Sequence, residues 1–300
     1  MSSSSGEDAP TSQSLWARFP AAAPLLSGFC FSVLALSVRK LGLSGMPAVQ
    51  VMFFRSLIPS LILLPVAGRE KLEQPLSRPQ IRSLILRGLA GASAMLTYFL
   101  AILWSPISMA TLTSNTSPLW TVLLASLFLG ESIPRSLRIG LPITFLGCAL
   151  LALKVDSAAL AACPTLYQGL AVGFLSAVFS AMAYINVRLL RAVPPSWVAL
   201  SLTLTSMVAV LPFLPSLPWA ITQPQLGWIA LLGLAGGFAQ YLMTVGYQFN
   251  SAGKAATLGL STAPCAAVFG ALFLHEYLTA PQFAGLVMVL GGTAIVTSSK

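Results

Sequence analysis

The residues best placed to do chemistry in this chain are polar side chains set within long apolar runs. Thr111, Asn115 and Pro118 follow one another at spacings of four and three, which puts them on one face of a helix. Thr257, Ser261 and Pro264 repeat that spacing 146 residues later. Such a hydroxyl and amide face hydrogen-bonds a polar solute, although the same residue types also join helices to one another in a membrane. Arg55 stands in an apolar run behind Phe53 and Phe54. A charge inside a membrane costs about 2.5–3.5 kcal/mol on insertion scales and marks function by default. It reads either as a counter-charge for a carboxylate or phosphate, or as a clamp on helix-end carbonyls that snorkels outward. Tyr98, Tyr184 with Asn186, and Gln240 with Tyr241 add aromatic and amide groups. These suit a zwitterionic or heterocyclic solute, or else pack helices together. Pro118 and Pro264 each release a backbone carbonyl and kink a helix, as a gate hinge or as part of a cavity wall.

Other chemistries lack their residues. The chain has one His and seven Asp and Glu in 300 residues, and no carboxylate falls at the middle of an apolar run. Glu131 and Glu276 close two such runs and read as helix-end anchors. Without an intramembrane acid, base or metal set, an intramembrane enzyme is disfavoured. A carrier here is a uniporter, an exchanger, or one coupled through a boundary carboxylate. Cys30, Cys148, Cys163 and Cys265 are not at metal-ligand spacing, so no metal and no cofactor is expected. "GLAGG" is no nucleotide loop, because no GKS or GKT follows it.

The elements that must position these residues are membrane helices. Of the residues, 56% are hydrophobic and 8% charged, against about 25% charged in a soluble domain. Lipid as solvent removes the need for a charged surface. Ten apolar segments approach spanning length, near 19–38, 46–67, 81–104, 106–130, 137–153, 166–189, 196–214, 226–247, 253–274 and 281–296. Residues 1–17 read as a disordered polar tail without a signal peptide.

Ten spans put both termini on one side. With the termini cytoplasmic, twelve basic residues fall inside: Arg18, Arg69, Lys71, Arg78, Arg82, Arg87, Arg135, Arg138, Arg188, Arg191, Lys254 and Lys300. Three fall outside, Arg39, Lys40 and Lys154, which is the positive-inside bias. The net charge of +9 is therefore assigned to topology and not to nucleic acid. Trp16, Trp104, Trp197, Trp219 and Trp228 fall near span ends, where an aromatic belt would sit.

The chain repeats itself. Residues 88–151 align with 233–295 at an offset of 145 or 146: "GLAG" matches "GLAG", Ala110-Thr111-Leu112 matches Ala256-Thr257-Leu258, Pro118 matches Pro264, and "LFLGE" matches "LFLHE". Upstream, Val38-Arg39-Lys40-Leu41 resembles Val187-Arg188-Leu189-Leu190. Two units of five helices result, 18–153 and 166–297. Five is odd, so the two units face opposite ways across the membrane. Secondary transporters with inverted repeats hold their substrate near the midplane between the repeats.

These features resemble the EamA branch of the drug/metabolite transporter superfamily. The resemblance is carried by Pro118–Glu131 followed by Gly140 and Gly147, by Pro264–Glu276 followed by Gly285 and Gly291, and by Arg55 in the second helix. It covers residues 25–297 and implies a central substrate cavity with the fifth and tenth helices at the periphery. The expected function is alternating-access transport of a small metabolite, an amino acid or derivative. Organic-anion or S-adenosylmethionine-type carriage and a non-transporting scaffold are the alternatives. Substrate contacts are expected from Asn115, Thr111, Ser261, Thr257, Tyr98, Tyr184, Gln240 and Arg55, and gating from Pro118 and Pro264. The expected partners are a small-molecule substrate and the lipid bilayer of a cell inner membrane, without nucleic acid; a homo-oligomer is compatible with this reading.

Overall fold

A computed structural model describes residue 16 and residues 18–70, 75–105, 113–151, 164–216, 219–274 and 279–298. Thr111, Lys154, His275 and Glu276 lie outside the described residues. Among the described residues every regular element is helical: α1 (Ala22–Leu43), α2 (Ala48–Arg69), α3 (Arg78–Trp104), α4 (Ser117–Leu129), α5 (Arg135–Leu151), α6 (Leu166–Leu189), α7 (Pro195–Val210, extended by a 3₁₀ turn to Ser216), α8 (Gln223–Phe249), α9 (Ala252–Gly259), α10 (Thr262–Leu274) and α11 (Ala280–Ser298). Seven segments are long and apolar enough to cross a membrane, with α9 and α10 counted together. Of the rest, α4 and α5 have 13 and 17 residues, and α3 carries three arginines near its start.

The outside of the bundle is apolar and its inside holds polar groups. Phe128, Leu127, Phe238 and Phe283 are exposed, while Arg87, Gln50, Gln240 and Thr257 are buried. That inversion suits a hydrocarbon solvent.

Helix pairing follows a pseudo-two-fold axis. The pair α3–α6 has its mate in α1–α8, α2–α8 in α3–α7, and α1–α10 in α4–α6. The pairs α2–α7 and α5–α11 join a helix to its own counterpart. Single hydrogen bonds obey the same relation. Ser27 Oγ donates to the Ala239 carbonyl at 2.9 Å, and Ser176 Oγ to the Ala94 carbonyl at 2.8 Å. Residues 94 and 239 are matched by the sequence repeat.

Glycines set the closest crossing. A Cβ on Gly147 would lie 2.7 Å from the Gly285 carbonyl oxygen, and one on Gly285 would lie 2.6 Å from that of Gly147. Gly140 and Gly292 stand in the same reciprocal relation at 2.8 Å. Backbone therefore rests on backbone where α5 crosses α11. Gly291, read with this set from sequence, has open space around it.

Several boundaries differ from those read in the sequence. Helix α3 begins at Arg78 because Ser77 and Gln80 form a capping box ahead of Pro79, with the Ser77 amide donating to Gln80 Oε1 at 2.8 Å. Arg87, counted with the cytoplasmic charges although it lies in the run 81–104, is 2% exposed within α3 and buried in the bundle. Arg39 and Lys40 sit in the last turns of α1. Trp197, in the first turn of α7 as its place near a span end predicts, packs inward beside Leu63 and Ala199.

Hydrogen bonds between chain segments sort the helix ends into two groups. At one end, Asn250 donates to the Pro20 carbonyl, Ser196 donates to Glu70, and Glu131 binds Arg188. At the other, Gln225 donates to Ser44, Thr165 to the Trp104 carbonyl, and Gln282 to the Leu151 carbonyl.

Candidate functional site: a polar cavity on the pseudo-two-fold axis

Four helices, α2, α3, α7 and α8, meet around a small cavity lined by Arg55, Ser56, Met95, Leu202, Thr203, Ser206, Gly236 and Gln240. Met95 and Gln240 are matched by the repeat, so the cavity lies on the axis relating the two halves. Gly236 on α8 lets Leu34 of α1 pack close, since a Cβ there would stand 2.9 Å from Leu34 Cδ1, with Arg55 Cγ at ordinary contact distance beyond. The space holds about one water molecule in this conformation. A metabolite therefore enters only when the helices part.

The lining contains polar atoms without partners. Gln240 Nε2 and Ser206 Oγ are buried and unbonded, and the Arg87 Nε beside this region is likewise. Arg55 Nη1 meets the Met95 sulfur at 3.3 Å. Arg87 reaches along α3 until its Nη1 would stand 2.8 Å from a Cβ on Gly91. The two guanidiniums lie within electrostatic reach of each other, and both reach the Tyr184 phenol. Tyr184 stacks on Tyr247, with ring centroids 4.7 Å apart and planes 19° apart. The two described carboxylates, Glu70 and Glu131, stand at the bundle end, outside this cluster.

Of the residues read from sequence, Arg55 and Gln240 line the cavity and Tyr184 adjoins it. Tyr98 is half-buried on α3. Asn115 is half-buried in a turn before α4. Ser261 is buried with an unbonded Oγ beside α1, where a Cβ on Gly28 would collide with it. Thr257 donates to the Gly253 carbonyl of its own helix at 2.9 Å. Arg87, Ser206 and Tyr247 belong to the cluster and were missed. Arg87 already lay within the run read as 81–104, and nothing in its spacing set it apart from the basic residues of the helix end.

The ninth span is broken, not kinked. It stops at Gly259 and restarts at Thr262, so Pro264 lies in the first turn of α10. Pro118 likewise lies in the first turn of α4. Proline denies the i−4 carbonyl its partner. The Leu260 carbonyl, four residues before Pro264, instead accepts from Ala263 at 3.0 Å. Ser32 Oγ donates to the Thr262 carbonyl at 2.9 Å and ties the restart to α1.

One end of the bundle carries an ionic clamp. Glu131 follows Gly130, whose left-handed φ of 64° closes α4. Its Oε1 accepts from Arg188 Nε on α6 at 2.9 Å, and its Oε2 from the Ala252 amide that opens α9, also at 2.9 Å. Arg188 Nη1 donates to the Gln248 carbonyl at 2.8 Å. The helix-end carboxylate read from sequence thus joins the two halves.

Apolar helices around a buried polar cavity, with two halves paired about one axis, define a multi-pass membrane protein. A model of the EamA-like transporter family matches residues 19–153 and 167–298, and the chain belongs to that family. It is similar to the pseudopaline exporter of Pseudomonas aeruginosa, 29% identical over 282 residues that cover 92% of this chain and 95% of the exporter. A Helicobacter pylori transporter is 27% identical, covering 89% of this chain and 90% of its own. Human solute carrier family 35 member G1 is 27% identical, with 85% and 72% covered. A solved crystal structure shares the fold with TM-score 0.78 at 18% identity, covering 93% of this chain and 96% of that one.

Proposed function

We propose that this membrane transporter is a secondary carrier that moves a small metabolite, an amino acid or amino-acid derivative, by alternating access. The observation that carries the reading is the axial cavity, with buried polar side chains from both halves and room for about one water. A site on the axis is reached from either side when one half rocks against the other. The resemblance to an exporter of pseudopaline supports a metabolite cargo. No catalytic activity is proposed.

The proposed topology has ten spans, as units 18–153 and 166–297, with both termini in the cytoplasm of a cell whose inner membrane holds the protein. The sorting of helix ends supports it. Arg69, Arg78, Arg135, Arg138, Arg188, Arg191 and Lys254 stand at the Glu131 end, against Arg39 and Lys40 at the other. Asn115, Ser261, Tyr98 and Thr111 are proposed as further substrate contacts, with Thr257 the weakest of the set because its hydroxyl already donates within its own helix, and Pro118 and Pro264 as gate elements that work by helix breaks.

Flux into proteoliposomes is the test. Purified protein is reconstituted and offered labelled amino acids, organic acids and S-adenosylmethionine. Uptake of one class, abolished in Gln240→Leu and Asn115→Ala at unchanged protein recovery, is the expected result. No movement of any class, with or without a pH gradient, sinks the carrier reading in favour of a scaffold.

A further inference from the structure

Arg87 is buried and Arg55 half-buried in the same region; two like charges so placed repel, and each loses hydration. A buried charge is ordinarily paired. Among the described residues no carboxylate pairs with Arg55 or Arg87; Arg55 Nη1 meets the Met95 thioether, and Arg87 Nε is buried without a partner. Gln240 and Ser206 add a second deficit, since each is at least nine-tenths buried and has an unbonded polar atom at the cavity. The donors come from α2, α3, α7 and α8, so no single helix explains them.

We propose that this cluster is a seat for a carboxylate of the cargo, and that the cargo is a solute of net negative charge. A carboxylate offers two oxygens with about four lone-pair sites, which suits Arg55, Arg87, the Gln240 amide and the Ser206 hydroxyl. A simple zwitterion fits less well, because its ammonium finds two cations and no acid. Amino-acid derivatives with more carboxylates than ammonium groups match the site. The stacked Tyr184–Tyr247 pair offers ring faces to the rest of the solute. This assignment rests on the carrier reading only for the word cargo; the seat itself is a matter of binding.

The test is therefore a binding measurement on purified protein in detergent, with thermal unfolding as the readout. N-acetylglutamate, succinate, glutamine, lysine and inorganic phosphate are the probes. N-acetylglutamate and succinate are expected to raise the melting temperature in a saturable way, while glutamine and lysine leave it unchanged. Arg87→Gln and Arg55→Gln are expected to weaken the apparent dissociation constant by about ten-fold or more. The lipid-facing variant Phe128→Ala should keep it. If a glutamine variant does not fold, Arg87→Lys and Ser206→Ala give the same reading by a smaller weakening. An unchanged melting temperature with both carboxylates, an equal shift in Arg87→Gln, or an equal response to phosphate overturns the assignment. Carboxylate binding without flux in proteoliposomes removes the carrier reading and leaves the seat standing; flux of neutral amino acids without carboxylate binding does the reverse.

Discussion

Gln240 shows how function can oppose stability in a single side chain. Its amide nitrogen is buried without a partner at the cavity wall. An unmet buried donor costs about 1–3 kcal/mol. Gln240→Met keeps the length, copies its repeat mate Met95, and removes the unmet donor. We expect a higher melting temperature, equivalent to about 1–3 kcal/mol, with flux reduced at least about ten-fold if the amide binds cargo. Thermal unfolding and proteoliposome uptake on the same preparation check both halves. Higher stability with full transport would assign Gln240 to packing alone. Thr257 is the contrast, because its hydroxyl already donates to Gly253. Thr257→Val should change uptake by less than about three-fold, since Ser and Thr bonds to their own helix add little. Sequence alone ranked these two residues together, because spacing reports the face of a helix and not where a hydroxyl spends its proton. Arg87 escaped for a related reason: it lay within the 81–104 run but was counted with the basic residues of one membrane side, and the Ser77–Gln80 box with Pro79 moves the start of that helix by only three residues. Three helices share that start signal, with the Thr222 and Thr279 amides donating to Gln225 and Gln282 at 2.9 Å. Nothing in the order of residues could place Arg87 beside Tyr184 and Arg55; that needs the packing of three helices.

Among the elements, α6 was fully legible at Leu166–Leu189, because its apolar run ends where polar and proline residues begin. The ninth span was not, since the apolar run continues straight through Leu260 and Ser261 while the backbone does not. Proline at 264 was the signal, and it marks a restart and not a bend. Where α5 crosses α11, the reciprocal glycine contacts leave no room for a side chain. Gly147→Leu or Gly285→Leu should force the helices apart and cost several kcal/mol, since backbone at about 2.7 Å cannot yield as a side chain can. A loss of monodisperse protein on size-exclusion chromatography checks this, and Gly291→Leu, at an open position, is the control that should survive. The clamp at Glu131 binds elements of both halves, so under the proposed alternating access its release is expected to open that end. Glu131→Gln keeps hydrogen bonding but removes the charge. It should weaken the contact to Arg188 and raise the labelling rate of a cysteine placed at Ser206 from that end. Reversal of the pair, Glu131→Arg with Arg188→Glu, should restore part of the closure; labelling that ignores both changes would make the clamp a static anchor.

Across the whole molecule, pseudo-symmetry decides what a small protein can do with few charges. Each half meets the other through its own counterpart helices, α2 with α7 and α5 with α11, and under the proposed mechanism rocking at these seams would exchange which end is closed. The repeat was legible in the sequence because matched runs such as "GLAG" survive at a constant offset. The cavity on its axis was legible only in part, through Arg55 and Gln240. The same symmetry makes a topological prediction. In the proposed topology three spans separate residues 44 and 132, which puts the Ser44 end and the Glu131 end on opposite sides of the membrane, with basic residues gathered at the Glu131 end. In a background where Cys30, Cys148, Cys163 and Cys265 are replaced by alanine, single cysteines are placed at Ser44 and at Ser132. A membrane-impermeant maleimide added to whole cells should label Ser44→Cys and spare Ser132→Cys until the cells are opened. Labelling of both from outside, or of Ser132→Cys first, would break the ten-span count or invert it, because one helix more or fewer between residues 44 and 132 moves one site across the membrane. The charges make the same statement in energy. Moving the basic cluster at the Glu131 end to the outer side opposes the positive-inside bias. Adding two lysines beside Ser44 should therefore lower the fraction of correctly inserted protein, and adding two beside Ser132 should not.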